Sequence, residues 1–240
     1  MSDVQYLMLD SRNRISGTEG RAVFQFEQSI LLPAGAELYI AQFVLPMTHY
    51  TVITGVNDII PSDLGDTTLT QGVYTITSLL AHIETAMSTA TSTTITCSVS
   101  NYTVTIASTG TPTLAWTDST HTAARLLGWD PATDVAAGAS HTAPNPYDLS
   151  RPHFLHMDLE EISAVSIFIP GTPQRLTHFS IPVTCATGDV LEYWPTGMII
   201  QPIRVTRATP LKRLTVWVRD EENHDIVRGD WTLLLRVRTP

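Results

Sequence analysis

Along most of this chain apolar and polar residues alternate one for one, and that period constrains the fold more than any other feature. In residues 36–45, Leu38, Ile40 and Val44 fall on one face and Tyr39, Ala41, Phe43 and Leu45 on the other, so both faces read as buried. Pro46, with no N–H to give to a ladder, ends the run. Similar runs occupy 22–27, 95–99, 102–107, 154–159, 164–169, 177–183, 199–205, 212–220 and 231–238, punctuated by Pro and Gly. A period of two is the mark of strands. Many strands joined by turns, with few helices between them, predict an antiparallel sandwich or barrel and not a doubly wound parallel sheet.

The middle of the chain breaks this pattern. From Thr77, Leu79, Ile83, Ala86 and Met87 recur at three- and four-residue spacing behind a Thr/Ser start, which predicts a helix. The strands at 95–99 and 102–107 are close enough to pair through Ser100 and Asn101. A second short helix is predicted over 119–127, with Gly128 where a left-handed cap is wanted. Residues 130–152 contain Pro131, Pro144, Pro146 and Pro152 and read as loop. Strand patterns resume at Phe154, so the chain is predicted to be mainly β, with residues 1–65 and 150–240 forming one β domain and 66–149 an inserted α/β subdomain.

Composition sets limits on function. A chain of 240 residues that is 43% hydrophobic can bury a sizeable core without staples. Cys97 and Cys185 are its two cysteines, which excludes a disulfide framework and leaves one bridge open. Charged residues are 15% of the chain against roughly 25% in ordinary domains. With abundant Thr, that suits faces that other subunits cover, and equally ordinary Thr-lined sheets. The apolar stretch at 6–9 lacks a basic start, and no apolar run approaches the roughly 20 residues of a membrane span, so a soluble intracellular product is expected. The net charge of −9 argues against general nucleic-acid affinity. Residues 204–238 carry +3 and the rest −12, so the two parts could attract each other or complementary patches on neighbours, although a solvated strand face with alternating arginines explains the basic stretch more simply.

Motifs for chemistry are absent or weak. The sole lysine, Lys212, follows Pro210 and Leu211, so there is no Walker loop, and no two glycines stand two apart. His153, His156 and Asp158 invite a metal, but on a strand His153 points away from the other two, and two exposed polar residues are the favoured account. Cys97 aligns with Ile95 and Val99, and Cys185 with Ile181 and Val183, as small buried hydrophobes and not as reactive thiols. Glu160 and Glu161 read as a solvated turn. Arg228-Gly229-Asp230 is the tripeptide that integrins recognise, a candidate attachment motif; the same residues make a good β-turn, which is the favoured reading. No catalytic, cofactor-binding or metal-binding residue is assigned, and no enzyme activity is expected.

Several segments carry a family resemblance. Leu9-Asp10-Ser11-Arg12-Asn13-Arg14 precedes an alternating Phe24-Gln25-Phe26 strand. Val56-Asn57-Asp58-Ile59-Ile60, Gly72-Val73-Tyr74-Thr75 and Leu126-Leu127-Gly128-Trp129 follow. The chain closes with Leu214-Thr215-Val216-Trp217-Val218-Arg219-Asp220, a polar turn, and Gly229-Asp230-Trp231-Thr232-Leu233-Leu234-Leu235. Together these resemble the penton and minor capsid proteins of double-stranded DNA viruses with double-jelly-roll major capsids: virophages, polinton-like viruses and the large nucleocytoplasmic viruses. The resemblance implies an antiparallel jelly-roll β-sandwich with its insertion, no cofactor, and a structural place in an icosahedral virion assembled in the host cytoplasm or nucleus. It implies a penton homopentamer, with the major capsid protein and other minor capsid proteins as partners and with neither membrane span nor specific nucleic acid. The alternatives are a minor capsid protein between or beneath capsomers, or a receptor- or glycan-binding virion module. Candidate contact segments are residues 1–14 and 130–152. A glycan-binding module would use loop aromatics such as Trp129, Tyr147, Tyr193 and Trp194, and an enzyme of cupin type would need clustered His and a carboxylate on adjacent strands.

Overall fold

The computed structural model describes residues 4–47, 50–150, 152–164, 167–169, 175–186, 188–195, 202–221, 223–225, 227 and 229–240. The chain divides into two compact units, Met1–His49 with Pro152–Pro240, and Tyr50–Arg151. The first unit opens with β1 (Val4–Asp10), β2 (Ser16–Gly17), β3 (Arg21–Leu32) and β4 (Glu37–Pro46). The second holds β5 (Ile59–Ile60), β6 (Thr67–Thr68), α1 (Ile76–Thr91), β7 (Ile95–Ser100), β8 (Thr103–Ser108), α2 (Ala124–Leu127) and β9 (Ser140–Thr142). The first unit then resumes with β10 (Phe154–Leu159), β11 (Ile167–Ile169), β12 (Arg175–Thr177), β13 (Phe179–Pro182), β14 (Val190–Tyr193), β15 (Ile203–Arg204), β16 (Thr209–Asp220) and β17 (Thr232–Arg238).

Two five-stranded antiparallel sheets build the first unit. Sheet I has the order β1-β17-β4-β14, with β15 also on β4, and sheet II the order β13-β10-β16-β3-β2. The chain passes back and forth between the sheets so that strands far apart in sequence become neighbours, which is the Greek-key wiring of a jelly roll. The inserted unit leaves the jelly roll after β4 and returns at β10. Between the sheets lie Leu38, Ile40, Phe43 and Leu45 of β4, Leu155, Met157 and Leu159 of β10, Leu214, Val216 and Val218 of β16, and Leu233, Leu235 and Val237 of β17, all buried. Trp231 ties the layers together: its ring meets Phe24 of sheet II edge-on at 5.9 Å and Phe43 of sheet I at 6.0 Å. Its indole N–H donates to the Glu19 carbonyl.

A bulge corrects the two-faced reading of β4. Opposite Leu234 and Leu235 of β17 the partners are Gln42 and Ile40, so Ala41 is an extra residue in the ladder. The bulge shifts the phase of the strand, and Leu38, Ile40, Phe43 and Leu45 all reach the same core, leaving Tyr39 and Val44 half-buried on the outside. Without the bulge, one of those pairs would face outward.

The second unit has its own core, drawn wholly from its own residues: Leu79, Ile83 and Met87 of α1 pack with Ile95, Val104, Ile106, Leu114, Trp116, Leu127 and Trp129. α1 starts with a capping box in which Thr75 and Ser78 exchange side-chain and backbone bonds. The β7–β8 hairpin turns on Asn101 (φ 50°) and Tyr102 (φ 63°), one residue later than the sequence indicates, because a two-residue turn of this hand wants positive φ at both central positions. Gly128, at φ 92°, caps α2 and donates to the carbonyls of Ala124 and Arg125.

Three further expectations change. α2 is one turn and not the helix over 119–127, because the segment before it pairs with Ile59: Ile59 N–H donates to the His121 carbonyl at 3.0 Å, and Ala123 N–H to the Ile59 carbonyl at 2.8 Å. The supposed loop 130–152 contains β9, which adds to β8 through Thr105, Ile106 and Ala107. The second unit starts at Tyr50, not 66, since Val52 exchanges both backbone bonds with Gly72 and β5 pairs with β6.

Candidate assembly surfaces

The polar residues that might have carried chemistry are used to hold the jelly roll. His156 and Asp158 share the outer side of β10, yet both are buried, which corrects the expectation that they are exposed. Their cover is Arg219, the cross-strand partner of His156. Its guanidinium lies 4.3 Å from the Trp217 ring centroid and donates to the Asp158 carboxylate. The other Asp158 oxygen accepts the His178 backbone N–H at 3.2 Å, and His178 Nδ1 accepts the Leu159 N–H at 3.0 Å. That acceptor role leaves Nδ1 without a proton, and burial pushes the His178 pKa down. Burial also lowers His156, whose Nδ1 has no hydrogen-bond partner among the described residues. His153 lies ahead of the strand, its backbone N–H donating to Glu221. No group of three His, Cys, Asp or Glu among the described residues could hold a metal ion.

The remaining candidates are structural as well. The turn after β10 is a junction and not simply solvated: Glu160 takes Arg21 in a two-point pair at 3.0 and 2.9 Å, and Glu161 accepts the Thr215 hydroxyl at 2.7 Å. Much of the basic stretch 204–238 is answered inside the first unit, with Arg204 and Arg238 at 3.3 and 3.9 Å from Glu37 and Arg213 at 3.8 Å from Glu161. Cys97 and Cys185 are free and half-buried. Burial, with Glu84 adding to it, pushes the Cys97 thiol up to about 12, so it holds no reactive thiolate. Trp129 is buried against Trp116 at 5.6 Å and offers nothing to a glycan, whereas Trp194 is exposed. Of the tripeptide, Arg228 lies outside the described residues. Gly229 follows it, and Asp230 accepts from the Ser11 hydroxyl at 3.1 Å and from Arg14 at 3.4 Å, next to the start of β17.

What remains available is outer surface. β1 was not anticipated as a strand. It pairs along its whole length with β17, from Val4 opposite Arg238 to Asp10 opposite Thr232, and forms the edge of sheet I. Alternation at Val4-Gln5-Tyr6 was the available signal; Leu7-Met8-Leu9 obscured it. Leu9 is buried, while Val4, Tyr6 and Met8 point away from the core and are exposed. At the far edge of the same sheet, Val190 of β14 is exposed too. Beneath β1 is an apolar cavity of about 90 Å³, lined by Leu7, Leu32, Leu38, Ile162, Leu211 and Val237 among others. It is well below the roughly 300–1,000 Å³ of small-molecule sites.

The strand order of the two sheets defines a jelly-roll protein with an α/β unit inserted between β4 and β10. No family model matches the chain, and no curated protein matches it by sequence. Among solved structures it is similar to the mavirus penton protein, at a TM-score of 0.50 and 9% identity over 99% of both chains. It is also similar to a chain of the Sputnik virophage structure, at a TM-score of 0.53 and 11% identity over 98% of this chain and 97% of that one. At these identities the likeness is one of fold, and it meets the sequence resemblance to penton-like proteins at that level.

Proposed function

We propose that this chain is a structural subunit of a virus capsid, a penton-like protein that works by assembling with copies of itself as a pentamer and with other capsid proteins. The observation that carries the reading is the extent of the match. A similar fold covers 99% of both this chain and the mavirus penton protein, so the inserted unit falls inside the shared architecture. The burial of the polar residues of sheet II, with Arg219, Asp158 and His178 bonded within the sheet, supports a scaffold rather than an enzyme, because catalytic groups need access to a reacting partner. We further propose that the inserted unit folds on its own core. Light scattering coupled to size exclusion tests assembly: a discrete species of five times the 26.4 kDa chain mass is expected. A strict monomer at every concentration would overturn the pentamer and favour a minor capsid protein ordered by its neighbours.

A further inference from the structure

We propose that the two opposite edges of sheet I are the two halves of one head-to-tail contact between copies of this chain; the inference rests on the reading of the chain as a self-assembling subunit. The β1 edge exposes Val4 (41%), Tyr6 (62%) and Met8 (69%) on the outer face of the sheet. Their neighbours there include Arg236, the register partner of Tyr6. Arg236 is exposed, lies 5.9 Å from the Tyr39 ring centroid, and has no carboxylate within ion-pair distance among the described residues. The β14 edge exposes Val190 (49%) and, just past the strand, Trp194 (55%). Its exposed charges are acidic, Asp189 and Glu192.

The β1 edge is therefore apolar and basic, and the β14 stretch of the opposite edge apolar and acidic, with Arg204 of β15 set against Glu37 at the other end of β4. Bringing two β1 edges together would oppose two basic rims, each with Arg236 one strand in from the edge, and two β14 edges would oppose their acids. Unlike edges satisfy both charge and apolar area. A contact whose halves lie on different parts of the subunit repeats from copy to copy and closes when the rotation allows, as a ring requires. The composition of β1 points the same way. Strand edges that stay in water are blunted by Lys, Pro or inward charges. Val4–Asp10 has none of these until Asp10, which Arg12 pairs at 2.9 Å. Such an edge is built to be covered.

The test uses the full chain with Arg236→Glu, with Glu192→Arg, and with both together, read by sedimentation velocity after circular dichroism and thermal melts establish folding. Each single reversal places like charges across the contact and is expected to weaken self-association at least about tenfold. The double variant restores opposite charges and is expected to recover the wild-type species. As a readout without substitution, β1 amides in the wild-type oligomer are expected to exchange more slowly than in the diluted, dissociated chain. Single reversals that leave the oligomer intact, or a double variant that fails to recover it, would overturn the edge contact while leaving self-assembly standing. A wild-type protein that is strictly dimeric would overturn the head-to-tail arrangement, and one that never associates would overturn both this contact and the pentamer.

Discussion

Arg219 does two jobs with one side chain, lying flat on Trp217 and neutralising a carboxylate that the sheet has taken out of water. Its loss alone would strand the Asp158 charge. Arg219→Met is expected to lower stability by about 3–5 kcal/mol in urea titrations, while Arg219→Met combined with Asp158→Leu recovers most of it, since two apolar groups leave no buried charge unpaired. The same layer sets a pH dependence. Burial holds His156 and His178 below the ordinary histidine pKa, so as the pH falls the unfolded chain takes up their protons before the folded one does. Their neutral forms stabilise the fold fully above about pH 6.5, and that contribution is lost as the pH falls below it. The urea midpoint is expected to drop between about pH 7 and pH 5, with a shallower drop when both are changed to Gln. None of this was legible in the sequence, where His156 and Asp158 looked like solvent-facing polar residues; their burial depends on Arg219, a partner on another strand.

Elements were legible where the local pattern is uninterrupted and backbone demands are local. The strands at 95–100 and 154–159 follow simple alternation, as does the stretch from Leu214 to Val218 beyond the register shift between Leu211 and Arg213, and Gly128 sits where a helix needs a residue of positive φ. β4 was misread because Ala41 changes its phase midway, which the sequence shows only as two overlapping stripes. β9 was missed because Ser140, His141 and Thr142 have weak strand character and become a strand only by adding to β8. Gly128 also shows the limit of the local view. A Cβ there would lie 2.1 Å from the Asn145 carbonyl oxygen, an approach that no spacing rule foretells. Gly128→Ala is expected to destabilise the second unit by at least about 1–2 kcal/mol, measured by loss of exchange protection around Trp116 and Trp129.

For the whole molecule, the sequence carried the division into a β domain and an insertion, but not its boundary. Residues 50–65 join the second unit through pairings with 67–72 that composition does not mark. Because that unit draws its core wholly from itself, a fragment of residues 50–151 is expected to be soluble, with dispersed amide signals and a cooperative melt; a fragment without a cooperative transition would show that the unit depends on the jelly roll. The topology also sets a timetable. β16 stands between β3 and β10, and β17 between β1 and β4, so each sheet waits for a strand near the C-terminal end. On the ribosome, residues 50–151 can be complete and folded while β1 and β4 remain without the strand that joins them. Tyr6 and Met8 are made long before β17, the strand that β1 pairs with, so the need for chaperone cover during synthesis is concentrated on β1.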